Sequence, residues 1–175
     1  MIEVSENLGP QSSDVEVNLE ICLDYDQRSK GRLKAVATSG EDVGLFLERG
    51  KVLQDGDVLK GNLEQLVRVT AKQESLICAK TDDWSTFARA CYHLGNRHVP
   101  IEVGDRELFM RPDHILQAMV ESLGLITSEV LKAFNPEQGA YAGGHSHSHS
   151  HSHSKEESHA HDHSHAHGHS DSHSH

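Results

Sequence analysis

Apolar and polar residues alternate over much of the first half of the chain, and this alternation predicts β-strands. The clearest example runs from Val17 to Tyr25, where every second residue is apolar, and residues 26–31 supply the turn that follows. A second strand is expected from Arg32. Further short apolar stretches, separated by glycine-containing turns, lie at 43–47, 58–59 and 66–69. This spacing predicts a small all-β domain over residues 1–73.

From Leu76 the apolar residues follow a different spacing. After a short strand they recur at intervals of three or four residues, which predicts a helix with one apolar face. These apolar residues are Trp84, Phe87, Ala88 and Cys91. Asp82 and Asp83 are suitable N-cap residues, because a carboxylate there accepts hydrogen bonds from free backbone N–H groups. Gly95 suits the C-terminal cap of the same helix.

A hairpin and a second helix follow. Residues 99–110 predict a hairpin around Gly104-Asp105, and Pro112 opens a helix that Gly124 ends. The apolar residues of this helix are Ile115, Leu116, Met119, Val120 and Leu123. A last strand gives the order βαββαβ over residues 74–142, which predicts a ferredoxin-like domain. The expected fold class is therefore α+β.

The composition changes abruptly at Gly143-Gly144. Thirteen of the 16 histidines follow this point, separated mostly by Ser, Ala, Gly and Asp. They are His145, His147, His149, His151, His153, His159, His161, His163, His165, His167, His169, His173 and His175. Residues 143–175 contain no aromatic or branched aliphatic side chain after the glycines, so burial cannot offset the entropy of ordering them. We predict a tail that is disordered without metal.

This tail is the strongest chemical signal in the sequence. Neutral imidazole is a ligand for nickel, copper, zinc and iron, and its ordinary pKa of about 6.5 leaves most such side chains neutral near pH 7. Alternation as His-x-His lets neighbouring rings converge on one ion, which favours loading and release over permanent storage. An engineered tag and a merely solubilising tail are the alternatives. The irregular spacers, including Lys155 to Ser158, disfavour a tag.

A second candidate lies in the polar turn from Tyr92 to Pro100, which carries two histidines. His93 adjoins the apolar face of the helix, so we interpret it as a core residue. His98 lies past the helix cap, where a side chain can face outward and bind a metal. One histidine cannot hold an ion alone. A twofold dimer would bring His98 of each chain to the axis, and tail histidines could fill the remaining positions.

Charge and motifs exclude several classes of protein. The formal net charge is −11, so phosphate backbones and anionic membranes are poor partners. Cys22, Cys78 and Cys91 form no CxxC pair, and we expect reduced thiols, those of Cys22 and Cys78 in the core. No secretory leader or membrane span is evident, which predicts a cytoplasmic protein. Without P-loop, GxSxG or HExxH motifs, we expect no enzyme activity.

Several motifs together resemble the UreE family of urease accessory proteins. They are residues 45–50 with Leu53, Asp55-Gly56-Asp57, His93 to Pro100, Asp113-His114 and Gly139-Ala140-Tyr141, in that order before the histidine tail. The resemblance implies a peptide-binding β domain, a ferredoxin-like metal-binding domain and a homodimer formed through the latter. It also implies nickel delivery during urease maturation and handover to the urease accessory GTPase and the urease apoprotein.

The same resemblance bears on individual residues. It implies that His98 holds metal at the dimer interface. Some family members carry a further His-x-His pair where this chain has Pro112-Asp113-His114, so only His114 remains as a candidate ligand there. Glu48 and Arg49 are interpreted as a solvated strand end, with partner docking as the alternative.

Three functions follow from these observations. The leading one is a nickel metallochaperone whose tail gathers ions and whose His98 holds one in transferable form. The second is a general buffer or store for nickel, zinc or copper. The third is a peptide-binding chaperone whose metal-binding tail is secondary.

Overall fold

The structure is a computed structural model, and it describes residues 1–12 and 14–138. The thirteen tail histidines and the Gly139-Ala140-Tyr141 motif therefore lie outside the described residues. The described part has two domains of mixed strand and helix content, each built on its own sheet. No helix within this part has the length and apolar character that crossing a membrane requires.

The first sheet has six strands in the order β2-β6-β5-β1-β4-β3. The strands are β1 Ile2–Pro10, β2 Leu19–Leu23, β3 Arg32–Val36, β4 Asp42–Phe46, β5 Asp57–Gly61 and β6 Leu66–Ala71. The β1–β4 and β2–β6 pairs are parallel, and the remaining pairs are antiparallel. Fully buried aliphatic side chains hold the sheet together, among them Val4, Ile21, Val43, Leu59 and Val67.

Strand β1 occupies the middle of this sheet although the sequence did not predict it. Val4 is its only buried residue, so the strand lacks the apolar alternation of β2. Its pairing with β5 shifts register after Val4 and again after Asn7, and such irregularities disrupt the period-two pattern. Most of this strand is therefore defined by its backbone pairing with β4 and β5 and not by the burial of its side chains.

The alternation from Val17 to Tyr25 does not form one continuous strand, and this prediction was wrong at its end. Strand β2 stops at Leu23, and a short helix, α1, covers Tyr25–Arg28. Asp24 caps it, because its carboxylate accepts from the Gln27 backbone N–H at 2.8 Å while the Gln27 side chain accepts from the Asp24 N–H at 3.0 Å. This reciprocal capping box turns the chain out of the sheet.

The second sheet has four antiparallel strands in the order β10-β7-β9-β8. The strands are β7 Gln73–Lys80, β8 Glu102–Val103, β9 Glu107–Met110 and β10 Ile126–Ala133. Helices α2, Trp84–Gly95, and α3, His114–Ser122, share one core with the sheet. That core joins Phe87, Ala90 and Leu94 of α2 and Val120 of α3 to Ile77, Ala79, Leu108 and Met110 of the strands.

Helix α2 buries a different set of residues from the one predicted, and helix α3 begins later than predicted. The buried face of α2 is Phe87, Ala90 and Leu94, whereas Trp84 and Ala88 are exposed. Helix α3 begins at His114 with Asp113 as N-cap, so Pro112 lies before the helix and does not open it. The predicted hairpin forms, with a first strand reduced to two residues.

Arg28 joins the two domains and is completely buried. Its Nη1 donates to the Leu53 carbonyl at 3.0 Å and to Asn135 Oδ1 at 3.1 Å, and its Nη2 donates to the Phe134 carbonyl at 2.5 Å. A third core cluster, of Leu76, Cys78, Phe109 and Phe134, packs against the Tyr25 ring at this junction. A loop of the first domain and the end of β10 are thus tied to one side chain.

Candidate metal centre

The turn that carries His98 is built by a run of backbone hydrogen bonds at the end of α2. The N–H groups of Arg97 and Val99 both donate to the Leu94 carbonyl, at 3.0 and 3.3 Å, and the His98 N–H donates to the Gly95 carbonyl at 2.9 Å. Such bonds satisfy the carbonyls that a helix end leaves free. The turn is therefore part of the helix end and not a loose loop.

His98 has a backbone φ of +54°, in the left-handed region. This conformation costs a residue with a Cβ about 1 kcal/mol or more, although Asn, Asp and His adopt it more often than other residues with a Cβ. The turn holds His98 there with its side chain exposed. An exposed imidazole on a fixed backbone is suited to meeting a ligand that arrives from solvent.

A cavity of about 330 Å³ opens beside His98. It is lined by Arg97, His98, Val99, Pro100, Arg111, Pro112, Asp113 and Leu116. Asp113 is committed to capping α3, because its Oδ1 accepts from the N–H groups of Ile115 and Leu116 at 2.8 and 3.0 Å. Arg111 is paired with Asp26 at 3.0 Å. Neither arginine was predicted from the sequence to have a role at this site, although Arg97 directly precedes His98.

His114 is the first residue of α3 and is exposed, but it does not line the cavity beside His98. Within residues 1–12 and 14–138, no three side chains of His, Cys, Asp or Glu lie close enough together to hold a metal ion. The described part of one chain therefore brings no ligand set together around His98 or His114.

His93 was predicted to be a core residue, but the structure shows that it is only half-buried. Its ring lies edge to face against Tyr92, with 5.4 Å between the ring centroids. Its carbonyl accepts a hydrogen bond from Arg97 Nη1 at 2.9 Å, which fixes the guanidinium next to the His98 turn. His93 therefore supports the turn through its backbone.

The cysteines divide by burial. Cys78 is buried as predicted, and burial raises the pKa of its thiol; burial likewise raises the pKa of the half-buried Cys91 thiol. Neither cysteine lines the cavity beside His98. Cys22 is exposed on β2, which corrects the prediction that it lies in the core.

The Asp55-Gly56-Asp57 motif has a structural role that was not predicted from the sequence. Asp57 is almost fully buried, and its Oδ2 accepts from Asn7 Nδ2 at 2.8 Å and from the Gln54 N–H at 2.9 Å. Asp55 Oδ1 accepts from the Ala71 N–H at 2.7 Å. Gly56 has a φ of +82°, which only glycine adopts at little cost. The motif joins β1, β5 and β6.

Glu48 belongs to an exposed turn. It pairs with Lys51 at 2.8 Å, and the hydrogen bond from Lys51 lowers the pKa of its carboxyl group. Both side chains are more than 70% exposed, and such pairs contribute little to stability. This agrees with the interpretation of the segment as a solvated strand end.

Taken together, the two sheets and the hydrogen-bonded His98 turn describe a two-domain protein of mixed strand and helix content with an exposed candidate metal ligand. Comparison with known proteins identifies the family. Residues 3–72 match the family model described as UreE urease accessory protein, N-terminal domain, and residues 64–175 match the model for the C-terminal domain. The chain belongs to the UreE family of urease accessory proteins.

Individual relatives agree with this assignment. The chain is 44% identical over 146 residues to the urease accessory protein UreE of Marinomonas sp. (strain MWYL1), which covers 83% of this chain and 99% of the relative. It is 40% identical over 149 residues to UreE of Psychromonas ingrahamii, covering 83% and 97%, respectively. It is 42% identical over 146 residues to UreE of Pseudomonas fluorescens (strain SBW25), covering 83% and 86%.

Family membership confirms two predictions from the sequence. The resemblance to UreE is correct, and the chain is not an enzyme, because the family consists of accessory proteins.

Proposed function

We propose that this chain is a cytoplasmic nickel metallochaperone, which collects Ni(II) and donates it through the urease accessory GTPase to the urease apoprotein. Family membership supports the role in urease maturation. The observation that carries the nickel role is the exposed His98, held in a left-handed turn beside an open cavity. The thirteen tail histidines supply further ligands of the same chemistry.

The incomplete ligand set at His98 supports a homodimer. A nickel ion takes four or more ligands, with imidazole nitrogen among those it prefers. A twofold axis beside His98 would place two imidazoles on one ion, since each chain contributes the same surface patch. A site with few protein ligands also releases its ion more readily than a closed cage, which suits a carrier.

In this proposal, three parts of the chain have different functions. Residues 1–73 form a partner-binding domain, residues 74–142 form a metal-binding and dimerisation domain, and residues 143–175 form a metal-binding tail. The strand order β10-β7-β9-β8 with two helices in one core supports a ferredoxin-like fold for the second part. The tail would raise the local concentration of metal, and His98 would hold the ion for transfer.

Calorimetric titration with nickel and zinc tests the proposal on the full chain, on a truncation ending at Gly144, and on that truncation with His98→Asn. Asparagine tolerates a left-handed backbone, so this variant removes the imidazole and keeps the turn. His114→Asn is the matched control. We expect one residual ion per truncated dimer, lost with His98→Asn and retained with His114→Asn. Residual binding that survives His98→Asn would refute the role of His98.

A general metal buffer is the second candidate, favoured by the composition of the tail. Copper(II) binds imidazole more tightly than nickel does, so the tail by itself does not select nickel. Affinity capture with the purified urease accessory GTPase separates the two functions. A carrier should bind the GTPase and transfer nickel to it, whereas a buffer should show neither behaviour.

A further inference from the structure

A second surface lies at the other end of α2 from His98. The helix has twelve residues, so its two ends are about 18 Å apart. A cavity of about 520 Å³ lies at this end. It is lined by Lys80, Thr81, Asp82, Asp83, Asp105, Arg106, Glu107, Gly124 and Ile126. Four carboxylates face two cations in this lining, so the cavity is acidic.

Arg106 already has partners within the described residues, and Lys80 is the second cation of the lining. Arg106 donates to the Asp82 carbonyl at 3.3 Å and lies 3.5 Å from the Asp105 carboxylate. Its guanidinium also lies 5.8 Å from the centre of the Trp84 ring. Asp83 caps α2 through the Thr86 N–H. The cavity thus retains a surplus of negative charge that a cationic side chain would offset.

Large apolar side chains flank the acidic cavity. Trp84 is 60% exposed at the start of α2, and Ile126 is 70% exposed at the start of β10. Ile126 lines the cavity and Trp84 lies against Arg106 of its lining, and exposed apolar side chains beside a cavity are typical of interaction sites.

Strand β10 also presents a free backbone edge. It is the outermost strand of the second sheet, and its eight residues all pair with β7 on one side. No strand pairs with its other side among the described residues. Proteins usually protect long edges with lysines or prolines, but the one lysine of β10, Lys132, is paired with Glu102. Within the part of the chain that the structure describes, this edge is therefore open to strand addition.

We propose that Trp84, Ile126, the outer edge of β10 and the acidic cavity form a docking surface for an extended, lysine- or arginine-bearing segment of a partner protein. The segment adds to β10 as a further strand, so backbone hydrogen bonds provide affinity. Its basic side chains meet the carboxylates of the cavity and Glu129 on β10, and its apolar side chains cover Ile126 and Trp84. This surface goes beyond metal carriage and is independent of His98.

The chain carries its own reporter for a test, because Trp84 is its only tryptophan. The full chain, with chelator present to keep the tail free of metal, is titrated with a short peptide that alternates lysine and valine. We expect a saturable change in the Trp84 emission. A peptide that alternates glutamate and valine should give none. An N-methylated lysine–valine peptide, which cannot add as a strand, should bind much more weakly.

Charge-neutral variants test the location. Asp82→Asn with Glu129→Gln should weaken peptide binding about fivefold, the size expected for losing two exposed ion pairs. Glu16→Gln with Glu20→Gln makes the same change in net charge on the exposed part of the first domain and should leave binding unchanged. Equal weakening by both double variants, or no saturable signal, would overturn the proposal. Trp84 emission that changes on dilution without peptide would indicate a second copy of this chain as the occupant, which also overturns it.

Discussion

Arg28 provides the sharpest test of how the two domains are joined. Replacing it with methionine keeps much of the side-chain volume and removes three hydrogen bonds, to the carbonyls of Leu53 and Phe134 and to Asn135 Oδ1. Each buried acceptor that loses its donor costs about 1–3 kcal/mol. The Tyr25 ring, 5.7 Å from the guanidinium, loses a cation–π contact of about 1 kcal/mol.

An opposing contribution reduces the net effect. Burial desolvates the Arg28 guanidinium and lowers its pKa, although nearby carboxylates, Glu74 first among them, act in the opposite direction. Its Nε is buried without a hydrogen-bond partner among the described residues. Methionine removes both penalties. We therefore expect Arg28→Met to lower the free energy of unfolding by about 3 kcal/mol, in the range measured for breaking buried charged contacts.

Urea unfolding followed by circular dichroism measures this change. Arg49→Met is the matched control, because Arg49 is exposed, and surface substitutions usually stay within about 0.5 kcal/mol. Weaker coupling between the domains should also broaden the transition of Arg28→Met or divide it into two. A loss below about 0.5 kcal/mol with a single unchanged transition would refute the argument, because the carbonyls would then have found other donors.

Three further predictions concern other parts of the chain. Asp57→Asn should lower the free energy of unfolding by about 1–2 kcal/mol in urea, since its carboxylate accepts two hydrogen bonds; a change like that of the exposed control Asp14→Asn would contradict this. Hydrogen bonds from Thr86 lower the pKa of Asp83, so the stability it contributes is present above the ordinary aspartate pKa of about 3.9 and lost as the pH falls through its lower folded value. The stability difference between the wild type and Asp83→Asn should therefore shrink in acid, and a pH-independent difference would contradict the assignment. Finally, protons compete with metal for imidazole, so dialysis from pH 7.5 to below about 6 should release most nickel bound by the tail; retention would point to other ligands.

The sequence predicts the elements of the second domain well because their patterns are local. Helix α3 and the final strand follow from periodicity and caps within about one turn. The buried face of α2 does not follow from periodicity, because the apolar Trp84 faces solvent. There it lies beside Phe87 and Arg106. Periodicity cannot tell an apolar residue that packs in the core from one kept at the surface.

Long-range contacts explain most of what the sequence could not predict. Strand β1 depends on partners about forty to sixty residues later, from Val43 to Gly61. The burial of Arg28 depends on Phe134 and Asn135, more than 100 residues away. His98 was predicted to be exposed because it follows the predicted helix cap, Gly95. Its left-handed backbone was not predicted, because glycine is the residue expected to adopt that conformation at a helix end.

The central position of β1 has a consequence for how the chain folds during synthesis. Ile2 to Val4 pair in parallel with Val43 to Leu45, and Leu19 to Leu23 pair in parallel with Val67 to Ala71. Strand β1 therefore stays incompletely paired until β4 and β5 have emerged from the ribosome, and β2 stays unpaired with β6 until residue 71 has emerged. Folding of non-local topologies is slow because loop closure precedes the stabilising contacts. Until these partners emerge, the unpaired strands of the first domain are exposed to aggregation in the nascent chain.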